Sequence, residues 1–344
     1  MDSVHEFRRW HRSDHQLVRA LSRELTIVNN RETIAVVVPF LNERDNLTYL
    51  LDQLASQTLA ANEVILVDSG STDGSSAHIE AWIAAHGKQS VFRILNAGTT
   101  TPGGSKTAGV NATRCDILAF MDCGLSFPRD WLERQYETLV HVGADWVSGV
   151  CLTVGTTLVD KSAIAHTYGL GSTRAVIPSS LVRRSVFETI GMFKDLRAGY
   201  DAEWARATER AGLKRAVNDG VVVSYHGTNF AADLRGVFLK SVRYARPSVG
   251  RDDTTVPFVY VALAVIGFAL ALKATEILWI GLPLYALARL WIARRKSRRL
   301  KYFAVNPLRL IVLVVVGVAM DFGKLCGFAM GMYVRHVRRR PLVQ

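Results

Sequence analysis

Residues 33–79 read TIAVVVPFLNERDNLTYLLDQLASQTLAANEVILVDSGSTDGSSAHI. The β-branched run Ile34–Val38 stops at Pro39, as a buried strand does when it meets a residue without an amide donor. Leu47, Leu50, Leu51 and Leu54 then recur at helical spacing. A second apolar run, Val64–Val67, ends in Asp68, Gly70, Ser71, Thr72, Asp73 and Gly74. The order is strand, helix, strand, with polar residues and glycines at each strand's carboxyl end. In open α/β sheets ligands bind at that edge. A nucleotide site is therefore expected near residues 39–43 and 68–74, although Gly70 and Gly74 are equally explained as turn formers.

Working outward, further strands are expected at Val91–Leu95, Ile117–Met121, Trp146–Val150 and Val221–Tyr225. Helices are expected near 75–86, 129–140, 185–190 and 202–212. The alternation over 33–250 predicts an α/β domain with a mostly parallel, Rossmann-like sheet covered by helices on both faces. Residues 1–32 read as a basic amphipathic arm. Trp10, Leu17, Leu21 and Leu25 form its stripe and Arg8, Arg9 and Arg12 stand beside it, suiting either a membrane surface or the domain.

After Pro247 the composition changes, and residues 251–344 read as a membrane domain. Val256–Leu272 has no charge, Lys273–Glu276 interrupts, and Ile277–Ala293 follows, giving an expected membrane hairpin over 256–293. The third apolar segment, 302–334, carries Asp321 and Lys324, both costly in hydrocarbon. It is expected to cross, kink or re-enter near Asp321. Gly323, Gly327 and Gly331, four apart, permit close helix packing. The net charge of +12 gathers in the arm, in Arg294–Lys301 and in Arg335–Arg340, beside apolar segments. This points to an anionic membrane surface and not to nucleic acid, for which no motif is present. Cys115, Cys123, Cys151 and Cys326 lack metal-ligand spacing and read as reduced thiols of a cytosolic compartment. The N-terminus has no apolar leader segment. A multi-pass inner-membrane protein with its catalytic domain in the cytoplasm is expected.

VVVPFLNE followed by ILVDSGSTDGS resembles the opening of glycosyltransferase family 2, the inverting nucleotide-sugar transferases of GT-A fold. The resemblance implies that Asp68 holds the base of the nucleotide and that Pro39, Asn42 and Glu43 line the same pocket. It implies a divalent metal, Mg²⁺ or Mn²⁺, at the D-x-D position. Here that position is Asp122-Cys123-Gly124, so the second acid is absent, and Asp122 with His226 would be the ligands. The family's Glu-Asp signature appears as Tyr200-Asp201, so Asp201 is expected as the base. It also suits a helix N-cap there, and Glu203 is the rival base. Lys106 lies where members have Arg-Asn and is a candidate phosphate contact. Arg183 falls in a stretch similar to the acceptor-side segment. Arg243 and Arg246 stand near the place of a Q-x-x-R-W motif, retained only as Lys240-Ser241-Val242-Arg243-Tyr244. Their other reading is contact with lipid headgroups.

The resulting expectation is a membrane-anchored transferase that moves a sugar from a nucleotide-sugar donor, with inversion, to a lipid-linked or envelope-polysaccharide acceptor. The alternatives are a processive polysaccharide synthase and a non-catalytic membrane scaffold of the same fold. If the acceptor is a lipid phosphate, its oxygen is already ionised, and Asp201 would orient it.

Overall fold

The computed structural model describes residues 32–225, 230–246, 249, 267, 270, 272 and 276–336. The N-terminal arm, His226 and most of the first limb of the expected hairpin lie outside them.

The strands are β1 (Ile34–Phe40), β2 (Glu63–Asp68), β3 (Phe92–Asn96), β4 (Ile117–Phe120), β5 (Leu125–Ser126), β6 (Trp146–Leu152), β7 (Thr173–Ala175), β8 (Ser180–Arg183) and β9 (Arg215–Tyr225). Between them run α1 (Arg44–Ala55), α2 (Ser75–Ala85), α3 (Pro102–Asn111), α4 (Trp131–Val142), α5 (Leu158–Thr167), α6 (Arg184–Ile190) and α7 (Tyr200–Arg210). They are followed by α8 (Leu234–Ala245), α9 (Glu276–Lys296), α10 (Lys301–Ala304) and α11 (Pro307–His336).

All nine strands form one sheet in the order β3-β2-β1-β4-β8-β6-β9-β5, with β7 on β6. β3, β2, β1 and β4 are mutually parallel, as the opening stretch predicts. β6 and β9 are also parallel, while β8, β7 and β5 pair antiparallel. The sheet is therefore mixed, and its parallel part is the one that presents strand carboxyl ends side by side. Successive residues of β1 alternate between two cores. Ile34, Val36 and Val38 pack with the leucines of α1 and with Trp131 of α4. Ala35 and Val37 pack with Phe187 of α6 and Trp204 of α7. A strand buried on both faces has to be apolar throughout, which explains the unbroken β1 run.

The C-terminal helices dock on this domain. Gly323, Gly327 and Gly331 face not another apolar helix but α8: a Cβ on Gly327 would lie 2.6 Å from the Val242 carbonyl oxygen, and one on Gly323 would lie 2.7 Å from that of Phe238. The paired numbers rise together, so α8 and α11 run parallel with backbones in near contact. α11 continues unbroken through Asp321. Its carboxylate accepts from the Tyr285 hydroxyl at 2.7 Å and pairs with Arg289 (3.4 Å) and Lys324 (3.3 Å). Polar partners on α9 and on its own turn remove the cost that made a kink expected at Asp321.

Among the described residues one helix, Pro307–Arg335, is long and apolar enough to cross a membrane. Opposite its packed face, α11 exposes Leu308, Ile311, Val315, Val318 and Phe322, and α9 exposes Trp279 at 83% and Ile280 at 68%. The expected second limb of the hairpin is thus a helix with a bare apolar surface. Among the described helices α11 alone meets that length and composition, so the multi-pass expectation is not supported.

His166 of α5 joins the two parts. Its Nε2 lies 2.7 Å from the Leu313 carbonyl oxygen, while Lys296 donates to the His166 carbonyl at 3.0 Å. Burial, and then the charge of Arg289, lower the His166 pKa to about 4. In the unfolded chain the ring has an ordinary value near 6.5. Below that pH the unfolded state takes up a proton that the folded state refuses, so stability falls as pH drops from about 6.5 towards 4 and levels off below. A shift of this size is worth about 3 kcal/mol. Replacing His166→Gln, which keeps a donor near Leu313, is expected to flatten that acid slope. Urea unfolding of both proteins between pH 7 and pH 4 checks it, and parallel slopes would contradict it.

Candidate functional site

The ends of β1 and β2 are braced to each other. Phe40 pairs with Asp68 in register. Beyond them the Asn42 amide donates to Ser71 Oγ (3.0 Å), and the Thr72 amide donates to Asn42 Oδ1 (2.8 Å). Asn42 holds φ 55°, the left-handed region that asparagine tolerates better than most residues. The Glu43 amide donates to Ser75 Oγ and the Arg44 amide to Asp73. Asp73 also accepts from the Ser75 amide and hydroxyl at the start of α2.

Asp68 is buried at the end of β2. Its Oδ1 accepts from the Gly70 and Ser71 amides at 3.0 and 2.8 Å, and its Oδ2 from Ser76 Oγ at 2.5 Å. Burial raises its pKa, but these donors outweigh burial and hold it below the usual aspartate value. Asp68 is thus an ionised group that shapes the loop in which a nucleotide would sit.

The second focus is Asp122, just beyond β4. Lys106 of α3 is fully buried, and its Nζ donates to Asp122 Oδ1 at 2.6 Å. Burial pulls the lysine pKa down. The charge of Asp122, with hydrogen bonds to Asp122 and to the Tyr200 hydroxyl, pushes it above the usual value. Tyr225, the last residue of β9, donates to Asp122 Oδ2 at 3.3 Å. Burial raises the Tyr200 pKa to about 12, and burial with Asp122 raises that of Tyr225. Both phenols stay protonated at neutral pH. α3 reaches this position because it is built from glycines. A Cβ on Gly103 would meet the Lys194 carbonyl oxygen at 2.1 Å, and one on Gly109 would meet Val37 at 2.3 Å.

Asp201 lies in the first turn of α7, one residue after Tyr200, and Gly199 in the left-handed region (φ 81°) is the N-cap. The N-cap expected at Asp201 is therefore displaced to a glycine, and the Asp201 carboxylate instead accepts from the Ala202 amide within the first turn at 2.9 Å. Glu203 forms an ion pair with Lys194. Of the two acids considered for the base, Glu203 is the one held in an ion pair.

The structure gathers Asn42, Glu43, Asp68, Lys106, Asp122, Tyr200 and Asp201 around the carboxyl ends of β1, β2 and β4. Pro39 lies within β1 beside Val67. Arg183 is elsewhere. It pairs with Ile117 at the opposite end of β4 and bonds Glu32 and the Ala144 carbonyl. Arg243 is exposed on α8, and Arg246 caps that helix, where its carbonyl oxygen faces Gly331. Sequence reading missed Tyr225, Asp195 and Arg174. Asp195 Oδ1 accepts from the Thr101 amide (3.2 Å) and hydroxyl and so anchors the start of α3. Arg174 of β7 stacks on Tyr168 at 4.1 Å and acts electrostatically on Tyr225 and Cys151. No motif marks these residues; the sheet order brings in Tyr225 and Arg174, and the loop between α6 and α7 brings in Asp195.

The residues described do not by themselves form a metal site. Gly124 offers no side chain, and Asp122 Oδ1 already holds Lys106. No cluster of three His, Cys, Asp or Glu side chains suited to a metal occurs among the described residues. His226, the other expected ligand, lies outside them.

Removing the cation tests the pair. Lys106→Met leaves Asp122 half-buried without its partner. Breaking a buried pair costs about 3–5 kcal/mol, and partial exposure of the carboxylate reduces the expected loss to about 2–3 kcal/mol. Lys106→Met with Asp122→Asn should recover most of it. Denaturant unfolding measures both, and a single variant as stable as the parent would contradict the pairing.

A sequence profile for Glycosyl transferase family 2 matches residues 35–219. Glycosyltransferase AglE of Haloferax volcanii is 24% identical over 220 residues, 60% of this chain and 70% of its own length. The succinoglycan biosynthesis protein ExoA of Rhizobium meliloti is 27% identical over 211 residues, 56% of this chain and 62% of its own. The undecaprenyl-phosphate 4-deoxy-4-formamido-L-arabinose transferase of Aeromonas hydrophila is 33% identical over 111 residues, 31% of this chain and 34% of its own. Among solved structures, the mannosyltransferase PcManGT of Pyrobaculum calidifontis, in complex with GDP-Man and Mn²⁺, superposes with a TM-score of 0.52 at 18% identity. The match covers 84% of this chain and 87% of that one. The fold is GT-A.

Proposed function

Because this chain belongs to glycosyl transferase family 2, we propose that it transfers a sugar, with inversion, from a nucleotide-sugar donor to a lipid-linked or envelope-polysaccharide acceptor at a membrane. The observation that carries this reading is the convergence of Asp68, Asp122 and Asp201 along one edge of the sheet, beside helices with a bare apolar surface. The names of the relatives from Rhizobium and Aeromonas support the acceptor class.

In this reading the loops after β1 and β2 hold the nucleotide, with Pro39, Asn42, Glu43 and Asp68 as its walls. Lys106 holds Asp122 fixed beside the diphosphate, and Arg174 faces the charge that develops as the diphosphate leaves. Asp201 takes the proton of an acceptor hydroxyl while that oxygen attacks the anomeric carbon. The bond from that carbon to the diphosphate breaks on the opposite side, which inverts the centre. For a phosphate acceptor no proton has to be removed, and Asp201 orients the nucleophile. A divalent metal, expected from the resemblance, would have to share Asp122 with Lys106, and no step is assigned to it. Arg243 and Arg246 suit lipid headgroups. The domain is placed on the cytoplasmic face, where nucleotide sugars are made.

The test uses the full chain in detergent with a panel of nucleotide sugars, assayed in Mn²⁺ and in EDTA. Asp201→Asn is expected to lower transfer to a hydroxyl acceptor by about a hundred- to ten-thousand-fold, the usual worth of a general base. Nucleotide affinity should be kept. Glu203→Gln should retain most activity. Equal losses in the two variants would remove Asp201 from the role of base.

A further inference from the structure

A cavity of about 290 Å³ lies between α5, α8 and α11, apart from the donor loops. That is at the small end for ligand sites, enough for a headgroup and the start of a chain but not for a whole lipid. Its walls include Phe230, Tyr244 and Phe328, and Lys240 and Lys324 also line it. Lys240 Nζ stands 4.7 Å from the Phe230 ring centre and 6.0 Å from that of Tyr244. Lys324 Nζ lies 3.3 Å from Asp321 Oδ1. Asp160, the acid that acts on Lys240, is itself buried and accepts the Phe230 amide at 2.7 Å. Neither acid lines the cavity, so its surface is apolar with positive charge and no negative charge. The Thr167 and Ser241 hydroxyls turn away to helix carbonyls.

Position identifies the occupant. One wall is α11, whose far side is the exposed apolar stripe, so the cavity sits directly behind the membrane-facing surface. The opposite wall is Tyr168. Its other face carries Arg174 at 4.1 Å. The cavity therefore runs from the apolar helices α8 and α11 to the ring that separates it from Arg174, the cation proposed above to face the leaving diphosphate. Two cations among aromatic walls match a phosphate on a hydrocarbon chain. They do not match a bulk bilayer headgroup, whose two chains would not fit.

We propose that this cavity is the acceptor subsite. It holds the phosphate and first carbons of a single-chain lipid phosphate, with Lys240 and Lys324 meeting the phosphate and Tyr168 standing between it and Arg174. The assignment deepens the transferase reading and rests on it for the meaning of the site, but lipid binding is measured separately from sugar transfer.

The experiment measures binding of undecaprenyl phosphate, undecaprenol and phosphatidylglycerol to the full chain in detergent micelles, with nucleoside diphosphate binding as the control for folding. The parent protein should prefer undecaprenyl phosphate to both other lipids. Lys240→Gln should weaken undecaprenyl phosphate binding about tenfold, the worth of one hydrogen bond to a charged group, and leave undecaprenol unchanged. Ser241→Trp, which fills the cavity, should abolish binding of both prenyl lipids. Nucleotide affinity should not change in either variant. Parent-like binding of undecaprenyl phosphate by Lys240→Gln would overturn the assignment. So would equal affinity of the parent for the phosphate and the alcohol, or displacement by equimolar phosphatidylglycerol. Selective lipid binding without sugar transfer from any donor would leave the subsite standing and sink the transferase reading.

Discussion

The pair between Lys106 and Asp122 is the constraint on which the site depends. A lysine with no solvent contact must keep an anion against it, because an isolated ammonium in the interior is too costly. The only way to meet that requirement here is to bring α3, the end of β4, the start of α7 and the end of β9 to one point. Those are the segments that carry Lys106, Asp122, Tyr200 with Asp201, and Tyr225. The glycines of α3 make the approach sterically possible. The ion pair thus ties the parallel part of the sheet to its mixed part at the edge where ligands bind.

A second set of contacts ties the domain to the helices with a bare apolar surface. The glycine row of α11 brings its backbone against α8, and His166 fixes α5 to the same helix. Asp321, which would be a liability in hydrocarbon, becomes a junction between α9 and α11 through Arg289, Tyr285 and Lys324. The domain and the apolar helices are joined by packing between helices. An acceptor confined to a membrane could therefore meet a donor bound from water at one fixed place.

Much of this was legible in the sequence. β1 and β2 were visible because strands buried on both faces must be uniformly apolar, and Asp68, Asp122 and Asp201 were visible through the resemblance. α3 was not among the expected helices: Gly103, Gly104 and Gly109 oppose helix formation, and only the neighbours they admit explain them. Tyr225 and Arg174 carry no local signal, because long-range strand pairing places them, and Asp195 reaches the start of α3 from the loop before α7. Arg183 was grouped with the site by its neighbourhood in sequence, yet β8 runs antiparallel to β4 and delivers it to the other end of the sheet. The glycine row was legible as a packing face, but its partner α8 was not.

The central claim is that the loops after β1 and β2 and the cluster around Asp122 form one donor site. Amide hydrogen exchange of the full chain, with and without a nucleotide sugar found to bind, tests it most directly. The account predicts that binding slows exchange together in two places: the segment from Gly70 to Ser76, and the segments around Asp122 and Tyr200. Protection confined to one of these, or lying outside both, would contradict it.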